Sequence, residues 1–197
     1  GTPVLIFYNL SHTTVDPKAL AVVGGATFIA ILFFLIVGAI VLKITGLPYS
    51  VYLPSLSFPN TGNLGLPLSY YAFGEVGLNY AIAIFAVVAI SNHTIGQTIS
   101  AGTGKWRTVL SNPVIPAVIL GVIVFAFQLT LPVWLDNTLE ILSGLTIPLM
   151  LLMLGTSLAT IPVTTISRSS WLSLLRICMG MAAGFTIAEL FGFTGAA

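Results

Sequence analysis

Charged residues are scarce in this sequence. Asp, Glu, Lys and Arg make up 6% of the 197 residues, whereas soluble chains average about 25%. Cysteine is nearly absent too: Cys178 stands alone, which excludes an intrachain disulfide and a cysteine-rich metal site. No basic stripe is interleaved with aromatic residues, which excludes nucleic acid as a partner. What remains is 57% hydrophobic with a mean hydropathy of +1.08, and this predicts an all-α membrane protein.

The few charges divide the chain into long neutral blocks. A helix that crosses a bilayer needs about 20 apolar residues, and each of five blocks can hold one. Two further apolar stretches open and close the chain. We therefore predict a polytopic bundle of about seven transmembrane segments, the first one incomplete, in a single domain. The segments are 4–10, 19–42, 44–74, 76–104, 108–135, 141–167 and 171–193.

The charges also sort by side if successive segments alternate in direction. Basic residues then gather on one side and acidic residues on the other, with Lys18 as the exception. Cytoplasmic loops are enriched in Lys and Arg, so the basic side is predicted to face the cytoplasm of a multi-pass protein in the cell (inner or plasma) membrane. The basic group is Lys43, Lys105, Arg107, Arg168 and Arg176, and the acidic group is Asp16, Glu75, Asp136, Glu140 and Glu189.

The third segment, 44–74, contains helix-breaking residues at its centre. Residues 58–67 read Phe-Pro-Asn-Thr-Gly-Asn-Leu-Gly-Leu-Pro, and Pro54 precedes them. Proline removes a backbone donor and interrupts a helix, and within lipid the freed backbone groups need another partner. Transporters place such breaks at the membrane midplane, where half-helix ends meet the transported solute. The pattern predicts a discontinuous helix near 59–63 in a solute carrier.

The residues at the predicted break are suited to an anion. A helix N-terminus leaves amides unpaired and carries about half a positive charge. Asn60 and Asn63 add side-chain amides, Thr61 adds a hydroxyl, and Gly62 lets a ligand approach the backbone. These four residues are the predicted substrate-binding site. The alternative is a kinked helix that packs against its neighbours and is capped by Asn60.

A second polar patch lies inside the next block. Asn92, His93 and Gln97 interrupt an apolar segment, and polar residues in membrane helices usually face the bundle interior or a water-filled path. They are a candidate polar pathway, in which His93 could relay a proton because histidine titrates near neutral pH. The alternative is that Asn92 and His93 cross-link helices by hydrogen bonds.

The chain also carries a weak internal repeat. Residues 2–17 resemble residues 147–162 at an offset of 145: each has an initial proline, an apolar run, hydroxyl residues and a second proline. Five predicted crossings separate the copies, so they insert in opposite directions, as in inverted-repeat transporters. We expect a ten-helix 5+5 inverted repeat, of which one N-terminal helix and the second crossover region are missing here.

The motif 60–68, followed by Phe-Gly-Glu-Val-Gly-Leu at 73–78, resembles the auxin efflux carrier family, a group of inverted-repeat secondary transporters similar to bile acid/sodium symporters. Weaker matches lie at 3–7, 110–115 and 147–158. The resemblance implies transport of small organic anions, dicarboxylate or monocarboxylate, by alternating access. It implies a scaffold part, 1–17 and 108–162, and a core part, 18–102 and 167–197. Candidate partners are a proton or sodium ion, the lipid bilayer and a second copy in a homodimer.

Other classes of membrane protein remain as alternatives. One is a sodium-coupled, bile-acid-like symporter, since backbone carbonyls could hold sodium. Another is a seven-helix receptor without transport activity. An enzyme is not predicted, because no Gly-x-Ser-Gly arrangement occurs and Asp16 and Asp136 lie at loop edges. No carboxylate lies deep in a predicted span, so no metal site is expected, and no cofactor is predicted.

Overall fold

The protein is described by a computed structural model that covers residues 1–101, 113–160 and 166–192. Within these ranges the chain is helical and contains no strand. Lys105 and Arg107, which the charge argument uses, lie outside the described residues, as do parts of the predicted scaffold and core (108–112, 161–162, 102 and 193–197).

Apolar runs form the helices, and their ends fall at prolines, glycines and short polar stretches. Two turns have π-helical geometry, in which the N–H of residue i+5 bonds the carbonyl of residue i. In chain order the elements are α1 (Thr2–Ser11), α2 (Pro17–Thr45), α3 (Tyr49–Ser57), the first π turn (Thr61–Gly65), α4 (Leu66–Ser91), the second π turn (Asn92–Gly96), α5 (Gln97–Ala101), α6 (Val114–Ala126), α7 (Val133–Thr160) and α8 (Ile166–Phe191).

Helix α2 shows how local sequence sets the boundaries. Asp16 caps its N-terminus, because the Lys18 amide donates to the Asp16 side chain at 2.8 Å. Pro17 occupies the first helical position, where its missing N–H costs nothing. Gly46 ends the helix in the left-handed conformation (φ 68°) that glycine adopts without strain. Residues at the two ends of α2 therefore determine where this helix begins and ends.

The run Tyr49–Ser100 reverses direction at Gly74. Fifty-two residues in one straight helix would extend about 78 Å, far more than the roughly 30 Å of a bilayer core. Gly74 has φ 65° and ψ −154°, outside the helical region. A Cβ on Gly62 would lie 3.0 Å from the Phe85 ring, and the buried Gly96 lies against Phe58. These contacts define two antiparallel arms, which we name the first arm (49–73) and the second arm (75–101).

The first arm contains the interruption that its prolines predict. Helix α3 ends at Ser57, and Phe58 follows with extended backbone (φ −107°, ψ 109°). Asn60 is also non-helical, with ψ 68°, and the first π turn begins after it. Pro54 lies inside α3 and Pro67 lies in the first turn of α4, so of these three prolines only Pro59 coincides with the break.

The helices pack in two groups that share α4. Helix α1 lies against α6 and α7, whereas α2 lies against α3, α4 and α8. The largest apolar cluster joins α1, α4, α6 and α7 and includes the fully buried side chains of Leu5, Ile6, Leu66 and Ile82. In a membrane the lipid tails are as apolar as these side chains, so close van der Waals packing rather than exclusion of water holds the helices together.

Much of the surface is apolar, as the composition requires. Large hydrophobic side chains remain exposed along α2, α7 and α8, including Ile36 at 61% and Leu152 at 65%. Soluble monomers rarely expose apolar patches of this extent. In the described residues, four helical runs are long and apolar enough to cross a membrane: Pro17–Thr45, Tyr49–Ser100, Val133–Thr160 and Ser167–Phe191.

Two features of the helices bear on how this count of four relates to membrane crossings. The run Tyr49–Ser100 holds two arms, as its internal contacts show. Helices α1 and α6 have 10 and 13 residues, which is short for a full crossing. Seven crossings therefore stay a prediction, and so does the ten-helix inverted repeat.

The two ends of the bundle carry different charges among the described residues. At one end the Arg168 guanidinium donates to the Tyr52 hydroxyl (3.4 Å). Tyr52 packs there in a cluster with Leu42, which lies near the C-terminal end of α2. At the other end His12 Nε2 lies 3.2 Å from an Asp136 carboxylate oxygen. The carboxylates of Glu75, Asp136 and Glu140 all lie within electrostatic reach of Tyr8. This arrangement agrees with the sorting of charges in the sequence.

Candidate functional site

A cavity of about 450 Å³ lies where the interruption of the first arm faces the second arm. Its lining contains residues from both polar groups that the sequence predicts as functional. Asn60, Thr61, Gly62 and Asn63 form one wall, and Asn92 and His93 belong to another. Thirty-two positions separate Asn60 from Asn92 in the chain, so the reversal at Gly74 is what brings them together.

The first wall is a helix N-terminus with its cap. Asn60 accepts a hydrogen bond from the Asn63 amide through its side-chain oxygen (3.2 Å) and from the Gly65 amide through its carbonyl (3.2 Å). The predicted capping role of Asn60 is thus present. The Thr61 amide donates to the Pro59 carbonyl at 2.9 Å, and the helix dipole makes this end electropositive. The wall is therefore a capped helix end with a partial positive charge.

Gly62 brings the backbone of the first arm against an aromatic ring. A Cβ at this position would lie 3.0 Å from Phe85 Cε2 and 3.7 Å from Phe85 Cδ2. Ordinary carbon contacts lie near 3.5–4.0 Å, so only glycine fits here without displacing the ring. Phe85 also lines the cavity, and the same close approach therefore helps to set the cavity's width.

The second wall is one face of the second arm. Phe85, Val88, Ala89 and Asn92 recur at helical spacing, which places them on one side of a helix. The second π turn begins at Asn92, and such turns are frequent at functional sites. This wall is apolar towards Phe85 and polar towards Asn92.

The polar end of the second wall has its own hydrogen bonds. His93 Nδ1 lies 2.9 Å from Gln97 Nε2, four residues further along the helix. Thr94 donates to the Ile90 carbonyl at 2.8 Å. Both bonds stay within one helix, so the bond between His93 and Gln97 does not cross-link helices. Gln97 itself does not line the cavity and touches it only through His93.

The third wall consists of residues that the sequence reasoning did not identify. Thr2 and Pro3 begin α1, and Pro113 and Val114 begin α6. Each pair lies at the start of a helix and includes a proline. Because proline is common at helix starts, this pattern could have predicted both helix starts from the sequence. Phe85, Val88 and Ala89 could also have been found, because they lie seven, four and three residues before Asn92 and so share its helical face.

The cavity carries no fixed charge among its described lining residues. None of them is Asp, Glu, Lys or Arg. In the described part of the chain, no three His, Cys, Asp or Glu side chains come together as a metal site would require. Neutral donors, helix-terminal amides and an apolar face remain. This combination suits a small solute that has both a polar and an apolar side.

A comparison with curated proteins supports a role in the membrane. The chain is similar to a protein named as an uncharacterized transporter from Methanocaldococcus jannaschii, with 31% identity over 151 residues. The match covers 69% of this chain and 47% of the transporter, so the chain spans about half the length of the relative it matches. No protein family matches the sequence, and no solved structure matches it.

The comparison and the four apolar helical runs agree on the class of protein. The chain is a helical membrane protein related to a transporter.

Proposed function

We propose that this protein is a secondary transporter that carries small organic anions by alternating access and binds them at the interrupted first arm. The cavity carries this proposal: a helix N-terminus, three neutral polar side chains and the patch around His93 converge on a space of about 450 Å³. Pockets for small ligands lie in this range of size and combine an apolar lining with a few polar groups.

The charge of the proposed cargo follows from the wall that would hold it. Helix-terminal amides and the dipole favour a negative group, and the Asn60, Thr61 and Asn63 side chains add hydrogen-bonding groups. A carboxylate could be held there without a buried cation, which would be costly within a membrane. Phe85, Val88 and Ala89 would contact the organic part of the anion.

The packing of the helices supports the proposed mechanism. Helices α1 and α7 carry the repeated segments and run antiparallel: Gly1 lies beside Thr146 and His12 beside Asp136. Opposite directions are what an inverted repeat requires. The grouping of α1 with α6 and α7, and of α2 with α3 and α8, fits a scaffold and a core that move against each other. Membership of the auxin efflux carrier family remains part of this proposal, as does the plasma membrane as its location.

Sodium coupling is a second candidate, and Ser57 favours it. Its side chain is fully buried at the C-terminal end of α3, and its hydroxyl has no hydrogen-bond partner among the described residues. The last carbonyls of a helix also lack partners within it and carry partial negative charge. A sodium ion would be stabilised by such oxygens.

Uptake into proteoliposomes tests the proposal. The full-length protein would be reconstituted and supplied with labelled benzoate or succinate under an imposed proton gradient, sodium gradient or membrane potential. We expect saturable uptake of at least one probe, driven by one of the gradients, and loss of uptake in Asn60→Ala with normal expression. Absence of uptake for both probes under all three conditions would contradict anion transport. Parental uptake by Asn60→Ala would remove this residue from the site.

A further inference from the structure

The buried Gly96 in the second π turn has no room for a side chain. A Cβ at this position would overlap the end of the Asn92 side-chain amide, and it would lie 3.0 Å from Phe58 Cε2 and 3.3 Å from Phe58 Cδ2. Ordinary carbon contacts lie near 3.5–4.0 Å. The crowding is the same whichever amide atom of Asn92 is the oxygen, because nitrogen and oxygen are of similar size.

The backbone conformation does not by itself require glycine at position 96. Among the described residues, the glycines with a positive φ are Gly46, Gly74 and Gly192, and Gly96 is not one of them. A helical conformation is open to residues with a side chain, and alanine favours it over glycine. The crowded space around position 96 is therefore the reason for glycine that the structure offers.

The contact between Gly96 and Phe58 has a counterpart in the opposite direction. Gly62 of the first arm lies against the Phe85 ring of the second arm, and Gly96 of the second arm lies against the Phe58 ring of the first arm. Each arm thus places a glycine against an aromatic ring of the other arm. These two contacts fix how far apart the arms lie where the cavity forms.

We infer that Gly96 is a positioning residue: its missing side chain leaves the space that the Asn92 amide and the Phe58 ring occupy. Asn92 lines the cavity, whereas Gly96 and Phe58 do not. A methyl group at position 96 would force the Asn92 amide into another rotamer and press on Phe58, which precedes the break at Pro59. The consequence for cargo rests on the proposed function: Gly96→Ala should weaken anion binding, although residue 96 does not touch the cargo.

Thermal unfolding of the full-length protein in lipid nanodiscs tests the crowding without any cargo. Gly144 in α7 is the matched control, because a Cβ there would meet nothing within 4 Å. Gly144→Ala should raise the unfolding midpoint, since alanine has the higher helix propensity. Gly96→Ala should leave the midpoint unchanged or lower it, because overpacking offsets the same gain.

A double variant relieves the crowding and should reverse this result. Phe58→Val removes both ring atoms and suits the extended backbone of residue 58, and Asn92→Ala removes the amide. In a protein that carries both changes, Gly96→Ala should raise the unfolding midpoint. The same change of midpoint in this variant and in the parental protein would overturn the inference.

Uptake into proteoliposomes tests the consequence for cargo. The half-saturating concentration of benzoate or succinate should rise several-fold in Gly96→Ala and stay parental in Gly144→Ala. Gly96→Ala should have a smaller effect in Asn92→Ala than in the parental protein, because both changes act on the same group. A lower maximal rate with an unchanged half-saturating concentration, or an equal effect in both proteins, would overturn the role of Gly96 in positioning Asn92.

The two measurements separate the two proposals. Unfolding midpoints that follow the expected pattern, without uptake of either probe, would support the crowding at Gly96 and count against anion transport. Uptake with the same half-saturating concentration in Gly96→Ala and in the parental protein would overturn the positioning role of Gly96 and leave anion transport supported.

Discussion

Replacing Asn60 by Asp separates two roles that this residue has in our interpretation. The structure shows the first role: the side-chain oxygen of Asn60 caps the helix by accepting from the Asn63 amide at 3.2 Å. The second role, binding of an anion, is proposed. Asp caps a helix about as well as Asn, but it adds a negative charge beside the cavity. Asn60→Asp should therefore preserve the fold and weaken anion binding.

The size of the effect follows from the size of the cavity. A sphere of about 450 Å³ has a radius of roughly 5 Å, so a charge at the wall lies about that far from a bound carboxylate. Two unit charges at this distance interact by about 3 kcal/mol at an effective dielectric constant of about 20. Asn60 is exposed, and solvent screening reduces the repulsion towards about 1 kcal/mol. An energy between about 1 and about 3 kcal/mol corresponds to a fall in affinity between about fivefold and about 150-fold.

The assay combines uptake with thermal unfolding. In proteoliposomes, Asn60→Asp should raise the half-saturating concentration of benzoate or succinate by that factor, with an unfolding midpoint close to the parental one. Asn60→Ala should lose uptake and also about 1 kcal/mol of stability, because the cap is removed. Asn137→Asp is the matched control: it makes the same chemical change at an exposed position near the start of α7. Parental affinity in Asn60→Asp would refute the reasoning.

Three smaller predictions concern contacts already described. Gly62→Ala should displace the Phe85 ring, lower the unfolding free energy by about 1–3 kcal/mol and weaken anion uptake. Gly65→Ala is the control, because its new Cβ would have its nearest neighbour at 3.5 Å, and it should leave uptake unchanged. Equal uptake by both variants would contradict this prediction. Gly74→Ala should lower the unfolding free energy by about 1–3 kcal/mol, because its φ and ψ lie in a region reserved for glycine, and an unchanged unfolding midpoint would argue against the reversal. Asp136→Asn keeps the side-chain shape but removes the carboxylate that lies 3.2 Å from the partly exposed His12 ring, and it should change the unfolding free energy by less than about 1 kcal/mol. A larger loss would show that this contact holds α1 to α7.

The sequence was sufficient to predict the interruption of the first arm but not its geometry. Three prolines surround the motif, and each could end a helix. The structure tolerates Pro54 within α3, and it places Pro67 in a first turn, where a missing N–H has no cost. Only around Pro59 does the backbone leave the helical region. The choice among the three depends on packing, which a single sequence does not reveal.

The composition of the cavity could be predicted only in part. Asn60 and Asn92 were each recognisable as polar residues in an apolar segment, and the role of each remains a prediction. Their meeting depends on the reversal at Gly74, and the third wall depends on how α1 and α6 pack. These are tertiary contacts between distant parts of the chain. The contact between Gln97 and His93 is different, because a spacing of four residues in a helix predicts it locally.

At the second π turn, deleting a residue should have a different structural effect from replacing one. Asn92–Gly96 holds one more residue than an α-helical turn would need. Deleting a single residue between His93 and Gln97 would restore α-helical winding and leave the helix beyond it in its present register, because the turn accommodates the extra residue locally. His93 and Gln97 would then be three residues apart instead of four, so the geometry of their contact would change although neither side chain had been altered. In this segment the length of the chain is therefore as much a determinant of the site as its chemistry.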